Sequence, residues 1–502
     1  MVFPHSFSRR KAFAVFAAAA WNRAWAQPAP GLINARESGA AGNGEANDTQ
    51  ALQKAIDAAS LRGGATVYIP AGRYLCGKLL LKSGVSLWLD NGAVLVMSPD
   101  DSHFRPPENT EARAILGFRT ALIHADDAES IAIYGQGTID CNRPRGGGPK
   151  PISLIRCRRV SLRGFTIRSA PSYNISLLGC DYVDIDGVTI QNGYSDGIDP
   201  DSCRFVRIAN CFVESVDDAI VLKVTGTLAD RLASEHVTVS NCVLRTASIH
   251  LKCGTESCGD FRNIVFAGCT LVGGMGMRHG NPGIALYTVD GGALRGIGVS
   301  NITMQDVGIP IALRRGNRDR CALHGPPGKF EDLMISNIVA TGAKLPSVIA
   351  GLPDAPVEGV DISGLRIGMG RAGTGPAKLD EIPEKPEAYP DPTMFGPLPA
   401  YGLWVRHAAD LAIRDLTLRA PAGEQRPALV VDDARDITLT GLRGSPASSW
   451  WSNVQTSTID AGPTRVSGSR TRNLTIHRKD GEAGAAVDSD VPGGAVTFLP
   501  SR

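Results

Sequence analysis

The chain has little of what marks a membrane, nucleic-acid or metal protein. Past its first residues, no apolar run approaches the ~20 residues that a membrane helix needs. Formal net charge is +2 over 502 residues, which excludes a global electrostatic pull toward nucleic acid or an anionic membrane surface. Any charged ligand must be recognised by local patches. There is no Cys-x-x-Cys pair and no His/Cys cluster, so no metal site is expected. Six tryptophans stand against 57 glycines, a balance that suits turn-rich β structure.

What is present is a repeat. The phrase apolar, any, apolar, any, Gly/Asn/Asp, apolar begins at Val160, Val183, Val206, Val237, Ile264, Ile297, Leu333, Val360, Leu411 and Ile437. Its fifth position reads Gly164, Gly187, Asn210, Asn241, Gly268, Asn301, Asn337, Gly364, Asp415 and Gly441. Alternation with period two marks strands, and Gly, Asn and Asp tolerate a left-handed backbone. Each phrase is therefore a strand, a sharp corner and a second strand. Recurrence at 23 to 51 residues means stacked coils that share one core. The reading is an all-β, single-stranded, right-handed parallel β-helix.

A third strand completes each coil. Its inward pairs are Ile175/Leu177, Ile220/Leu222, Ile249/Leu251, Ile284/Leu286, Ile311/Leu313, Leu403/Val405 and Leu429/Val431. Coils stack ~4.8 Å apart, so side chains that alternate outward form columns on an external sheet. One column is expected to read Leu178, Lys223, Lys252, Tyr287, Arg314, Arg406. Such a face suits an extended, negatively charged polymer.

The ends and interruptions have their own signals. Ser8-Arg9-Arg10-Lys11, an apolar stretch to Trp21 and Ala24-Trp25-Ala26 read as a twin-arginine signal over 1–26, cleaved before Gln27. The partner implied is the twin-arginine export machinery, and the location is periplasmic or secreted. Residues 27–445 are expected to form one elongated catalytic domain, and 446–502 a C-terminal cap, with Trp450-Trp451 over the last coil, and a tail, flexible over Asp480–Gly494. Gln50–Ser60 carries Leu52, Ala55 and Ile56 at helical spacing and should cap the first coil, with Asp48 as N-cap and Gly63-Gly64 as stop. Strands should follow at Ala65–Pro70, Leu79–Leu81, Val85–Leu89 and Ala93–Val96. Thr225–Ser234, Gly273–Pro282 and the Pro-rich Arg371–Ala400 are insertions expected to wall a groove. Cys211, Cys242 and Cys269 hold an apolar position of the phrase and read as core. Cys253 and Cys258 share a turn and are candidates to pair. A solenoid capped at its ends is expected to be a monomer.

The chemistry-bearing pattern is acidic. Tyr194-Ser195-Asp196-Gly197-Ile198-Asp199 and Val216-Asp217-Asp218-Ala219-Ile220 precede the third strand on adjacent coils. Asp196, Asp217 and Asp218 should then lie close together, where three carboxylates cannot all ionise freely. A protonated carboxyl beside a carboxylate is what glycosidic hydrolysis requires. Consecutive residues of a regular strand face opposite ways, so Asp217 and Asp218 converge only at a corner or bulge.

These stretches, with the opening GNGEANDTQALQKAIDAA, VYIPAGRYLCGKLLLKSGVSLWLDNGAVL, GQGTID, APSYNISLLGCDYVDIDGVTI, YSDGIDPDSC and SVDDAIVLK, resemble glycoside hydrolase family 28, the polygalacturonase and rhamnogalacturonase family. The likeness runs from about Ile33 to Leu442. It implies Asp217 as general acid, Asp196 and Asp218 as activators of water, inversion of configuration, and no cofactor. The pattern departs from the family at two places. The family's Gly-His-Gly falls near Ser248-Ile249-His250, and its Arg-Ile-Lys falls at Ala285-Leu286-Tyr287. The chain thus resembles a bacterial branch that lacks both. Lys223, His250, Lys252 and Arg314, with Arg406 as a further candidate, are expected to replace the missing contacts to a uronate or rhamnose-containing glycan such as pectin, and Asp199 is a further substrate-binding candidate. His279 and His407 are read as structural. Two rivals stay open on residues alone. One is a pectate-lyase-like eliminase with Ca²⁺ on Asp196, Asp199, Asp201, Asp217 and Asp218 and Lys223 as base. The other is a β-helix that binds polysaccharide without cleaving it.

Overall fold

The computed structural model describes residues 31–104, 117, 120–143, 146–321, 325–375, 379–445, 464–478 and 486–500. The signal segment 1–26, Trp450-Trp451 and parts of the Arg371–Ala400 and Asp480–Gly494 stretches lie outside them. Among the described residues, strands stack into a 27-stranded and a 14-stranded sheet, and every registered pairing is parallel. One coil shows the plan. Arg204–Ala209, Phe212–Ser215 and Ile220–Val224 are its three strands, and each pairs with its counterpart in the next coil. This is the parallel β-helix that the repeat predicts.

All ten corner residues of the phrase take positive φ, from Asn241, Asn337 and Asp415 at 54° to Gly164 at 79°. Glycine and short polar side chains are the residues for which that conformation costs least. A second left-handed residue, not read from the sequence, stands one position ahead of each phrase and includes Tyr182, Phe205 and His236. A bulky residue costs roughly 1–2 kcal/mol there. Ring stacking offsets part of it: Tyr182–Phe205 and Phe205–His236 lie 4.8 and 4.9 Å apart with nearly parallel planes.

The cap helix spans Thr49–Leu61 and buries Leu52, Ala55, Ile56 and Ala59. Asp48 precedes it but does not cap it by side chain. Its carboxylate instead accepts from Ala41 and Gly42 N–H, tying the preceding loop. Strands follow at Ala65–Ile69, Leu79–Leu80, Val85–Leu89 and Ala93–Met97, within one residue of expectation. Thr464–Ser467 and Arg472–Arg478 pair with Leu429–Asp432 and Arg435–Thr440, so parallel pairing continues past the last phrase.

Two corrections concern the third strands, which stack as the 14-stranded sheet, and the turns beside them. Ile220 pairs with Leu251 and Leu222 with Cys253, so the inward pair is Leu251/Cys253, not Ile249/Leu251. Leu251 follows Val237 by 14 residues as Ile220 follows Val206, whereas Ile249 falls before the strand and packs with Ala285, Tyr287, Ile309 and Ala312. The basic column consequently splits in two. Lys252 aligns with Val221 and Ala285, while Lys223 aligns with Asp201. The second correction is the disulfide. Cys253 points into the core and is free, and Cys258, just past the strand, bonds Cys321. Cys211, Cys242 and Cys269 are buried and free, as their phrase position requires.

Candidate active site

The acidic residues sit where second strands hand over to third strands. Phe212–Ser215 ends before Asp217, and Ile220–Val224 begins after Asp218. The pair therefore occupies a corner, freed from strand alternation. Thr246 Oγ1 donates to the Asp217 carbonyl, Ser215 Oγ donates to it at 2.8 Å, and together they pin that corner. On the preceding coil, Asn174 is fully buried and donates its Nδ2 to the Asp196 carbonyl at 2.9 Å. Gly197 then lies against the next coil. A Cβ there would come within 2.4 Å of both the Ala219 carbonyl and Val213 Cγ1, so the Asp-Gly step is what lets the coils close at this point.

The result is convergence. One carboxylate oxygen from each of Asp196, Asp217 and Asp218 lies within 4.8 Å of the others. Their surroundings differ. Asp196 is buried, with Lys223 Nζ at 2.7 Å; the same ammonium lies 3.1 Å from Asp199 Oδ2. Asp218 is buried too and accepts from Lys252 Nζ at 2.8 Å, Ser248 Oγ at 2.8 Å and Ile249 N–H at 3.2 Å. Asp217 is the more open member, 20% exposed, and faces Arg278 Nη2 at 3.1 Å.

Burial pushes the Asp196 carboxyl up to about 8 and Asp199 up to about 6, against the pull of Lys223. Burial acts on Asp218 in the same sense, but Lys252, then Lys223 and Ser248, hold it below the ordinary carboxylate range. Burial works against both ammonium groups as well, yet their carboxylate partners raise Lys223 and Lys252. The cluster thus combines a carboxyl that keeps its proton with a carboxylate that gives its proton up, in one small volume.

The residues expected to grip the ligand divide. Lys223, Lys252 and Asp199 join the aspartate cluster, but as buried partners of its charges. His250 and Arg314 do not reach a ligand face, which corrects the expectation for both. His250 is fully buried beneath the Gly273–Pro282 insertion, with Nδ1 3.0 Å from the Pro282 carbonyl and Nε2 3.1 Å from that of Val272. Arg314 is spent on the Arg371–Ala400 insertion and its support, donating to the carbonyls of Gly351 and Glu384 at 2.8 Å each. Burial lowers it to about 10. Arg406 likewise bonds the Ile382 carbonyl and pairs with Glu384. Of the two histidines read as structural, His279 lies 3.5 Å from Asp391, and His407 spans Glu384 and Asp433.

Three site residues were missed. Arg278 stands 47% exposed over Asp217. The Tyr389 hydroxyl accepts from Lys252 Nζ at 3.1 Å, and the Tyr173 ring lies 4.4 Å beneath Lys223 Nζ. Only Arg278 had a signal, since a basic residue on an insertion beside the acids belongs to the groove wall.

The trio is geometrically close enough to share a cation. Two ammonium groups already rest on its carboxylates, and Asp201 is engaged elsewhere by Thr225 and Ser202. That donor set opposes a divalent ion rather than completing a shell for one.

Comparison with known proteins agrees with the geometry. Residues 32–94 match a family described as "Rhamnogalacturonase A/epimerase, pectate lyase-like", and residues 108–383 match "Glycosyl hydrolases family 28". A probable polygalacturonase of Vitis vinifera is 26% identical over 69% of this chain and 74% of its own length. An exo-poly-alpha-D-galacturonosidase of Dickeya chrysanthemi is 34% identical, over 22% of this chain and 20% of its own. Among solved structures, an exopolygalacturonase of Thermotoga maritima shares the fold, with a TM-score of 0.58 and 23% identity over 68% of this chain and 87% of that one. With the family match covering more than half of its length, this chain belongs to glycosyl hydrolases family 28 and is a glycoside hydrolase.

Proposed function

We propose that the protein hydrolyses a uronate-containing polysaccharide of the pectin class. Asp217 is the general acid toward the leaving oxygen, taking up the one proton that the cluster keeps and that rests on Asp196 in the free protein. Asp196, once it has passed that proton on, and Asp218 together activate one water. The observation that carries this reading is the convergence of three carboxylates, two buried on lysines and one open to the groove. The open one is placed to meet a glycosidic oxygen, and the buried pair to hold water. The Vitis and Dickeya relatives, both named for galacturonan cleavage, support the substrate class.

The trio is packed more tightly than the ~6.5–9.5 Å between paired carboxyls in most inverting glycosidases. Inversion here rests on two carboxylates sharing one water rather than on one distant base. Proton spectra of the first-formed product read the outcome: inversion gives the opposite anomer, and retention removes the shared-water assignment.

The remaining parts of the reading are topological. Residues 27–445 act as one elongated catalytic domain, and the protein works as a monomer. The Arg9-Arg10 signal sends it out of the cytoplasm, a location consistent with the Cys258–Cys321 bond. No helix among the described residues is long and apolar enough to cross a membrane.

The test is reducing-end release by the mature protein on a pectin panel with EDTA present. Release under EDTA is the expected result. Activity only with Ca²⁺, with an unsaturated ultraviolet-absorbing product, would replace hydrolysis by elimination.

A further inference from the structure

The described part of the Arg371–Ala400 insertion does not stand beside the external sheet; from Leu379 on it lies on it. Ile382, Phe395 and Leu398 form one apolar cluster with Val348, Ala350, Trp404 and Val430. Those four are outward residues of the 14-stranded sheet on the coils C-terminal to the aspartates. Phe395 meets Trp404 edge-on at 5.0 Å. Apolar packing of this kind makes the cover part of the fold.

The cover is also tied by polar contacts. Arg314 donates to the Glu384 carbonyl and Arg406 to the Ile382 carbonyl. It then reaches the reaction centre itself, where the Tyr389 hydroxyl lies 3.1 Å from Lys252 Nζ, the ammonium that holds Asp218. The Tyr389 ring packs on His279 at 4.6 Å. A Cβ on Gly280 would come within 3.3 Å of Thr393 Cγ2, and His279 lies 3.5 Å from Asp391, so the two insertions touch at this point. A sugar chain laid along the sheet cannot continue past Asp218 in that direction.

We infer that the enzyme acts from a chain end: the terminal sugar units abut Tyr389, and the polymer extends only away from the Arg371–Ala400 insertion. The inference rests on the hydrolase reading above and adds its mode of attack. A groove closed on one side admits ends and excludes internal bonds, whichever sugar is bound.

The experiment follows products from the glycan that the wild-type protein cleaves. Chain-end attack gives one short product from the earliest time, with polymer length and viscosity falling late. At equal mass, the initial rate rises in proportion to the number of ends as chains are shortened. A ladder of intermediate oligomers at early times, with rate independent of chain number, would overturn the inference and leave the hydrolase intact. Absence of bond cleavage on every glycan would remove the hydrolase reading and this inference with it. The Tyr389→Ala variant supplies a second readout, a shift toward longer early products. Unchanged product lengths in a folded variant would contradict the role given to Tyr389.

Discussion

Arg278 Nη2 lies 3.1 Å from Asp217 Oδ2, across the mouth of the aspartate cluster. Its insertion is anchored from below. Asn281 is fully buried and donates to the carbonyls of Thr246 and Ser248 at 3.0 and 2.6 Å, and His250 faces the Pro282 carbonyl at 3.0 Å. The guanidinium is therefore held over the acid by its loop, and its exposed side faces the space a substrate enters. A uronate carboxylate arriving there would take the guanidinium's fork, of which only Nη2 now faces Asp217, freeing Asp217 to reach the glycosidic oxygen.

Loss of Arg278 is predicted to act mainly on binding. A hydrogen bond to a charged group contributes about 1.5–3 kcal/mol, so Arg278→Ala should raise KM on a uronate glycan by about 10- to 100-fold. Arg278→Lys should fall between, because it keeps the charge and loses the fork. Steady-state kinetics on charged and neutral substrates check this. Equal losses on both would contradict a carboxylate contact.

The pH profile follows from the buried pair. Asp218 is held below the ordinary carboxylate range, so the acid limb of kcat/KM should lie below that of a free aspartate. Asp196 is raised to about 8, and the coupled cluster should keep one proton until that pH. Activity should therefore decline on the alkaline side near pH 8. Lys223 opposes the rise in Asp196, so Lys223→Met should move the alkaline limb to higher pH. A limb that stays fixed would separate Asp196 from the catalytic proton.

The Cys258–Cys321 bond closes a loop of 63 residues around the side of the solenoid. Chain-entropy reasoning gives such a bond about 4 kcal/mol. The Cys258→Ser/Cys321→Ser variant should lose stability of that order in urea unfolding while keeping the β-helix signature. An unchanged midpoint would mean that the stacked coils alone fix this segment.

Much of this was legible in sequence because a solenoid repeats its constraints. Gly164, Asn210 and Asp415 share one left-handed corner, so one motif exposes the whole stack. Asp196 and Asp217 were found because they recur at the same place on adjacent coils. The register of Leu251 was not legible: Ile249-His250-Leu251-Lys252 alternates without a break, and alternation does not say where the strand begins. The fate of Arg314 and His250 was hidden for another reason. Strand alternation tells which side chains face outward, but not which outward columns an insertion then covers. Arg278 and Tyr389 belong to those same insertions, and their approach to Asp217 and Lys252 is a tertiary fact that spacing does not encode. Cys258 finds Cys321 by a loop whose path no local pattern describes.

The proposed function makes Asp217 the proton donor of a metal-independent hydrolase. The most direct measurement is reducing-end release by Asp217→Asn beside wild type, in EDTA, on the glycan the wild type cleaves. The account predicts a kcat lower by about 10²- to 10⁴-fold, as expected for loss of a general acid, with folding and glycan binding retained. Wild-type turnover in the Asp217→Asn protein would contradict it and move the chemistry away from this cluster.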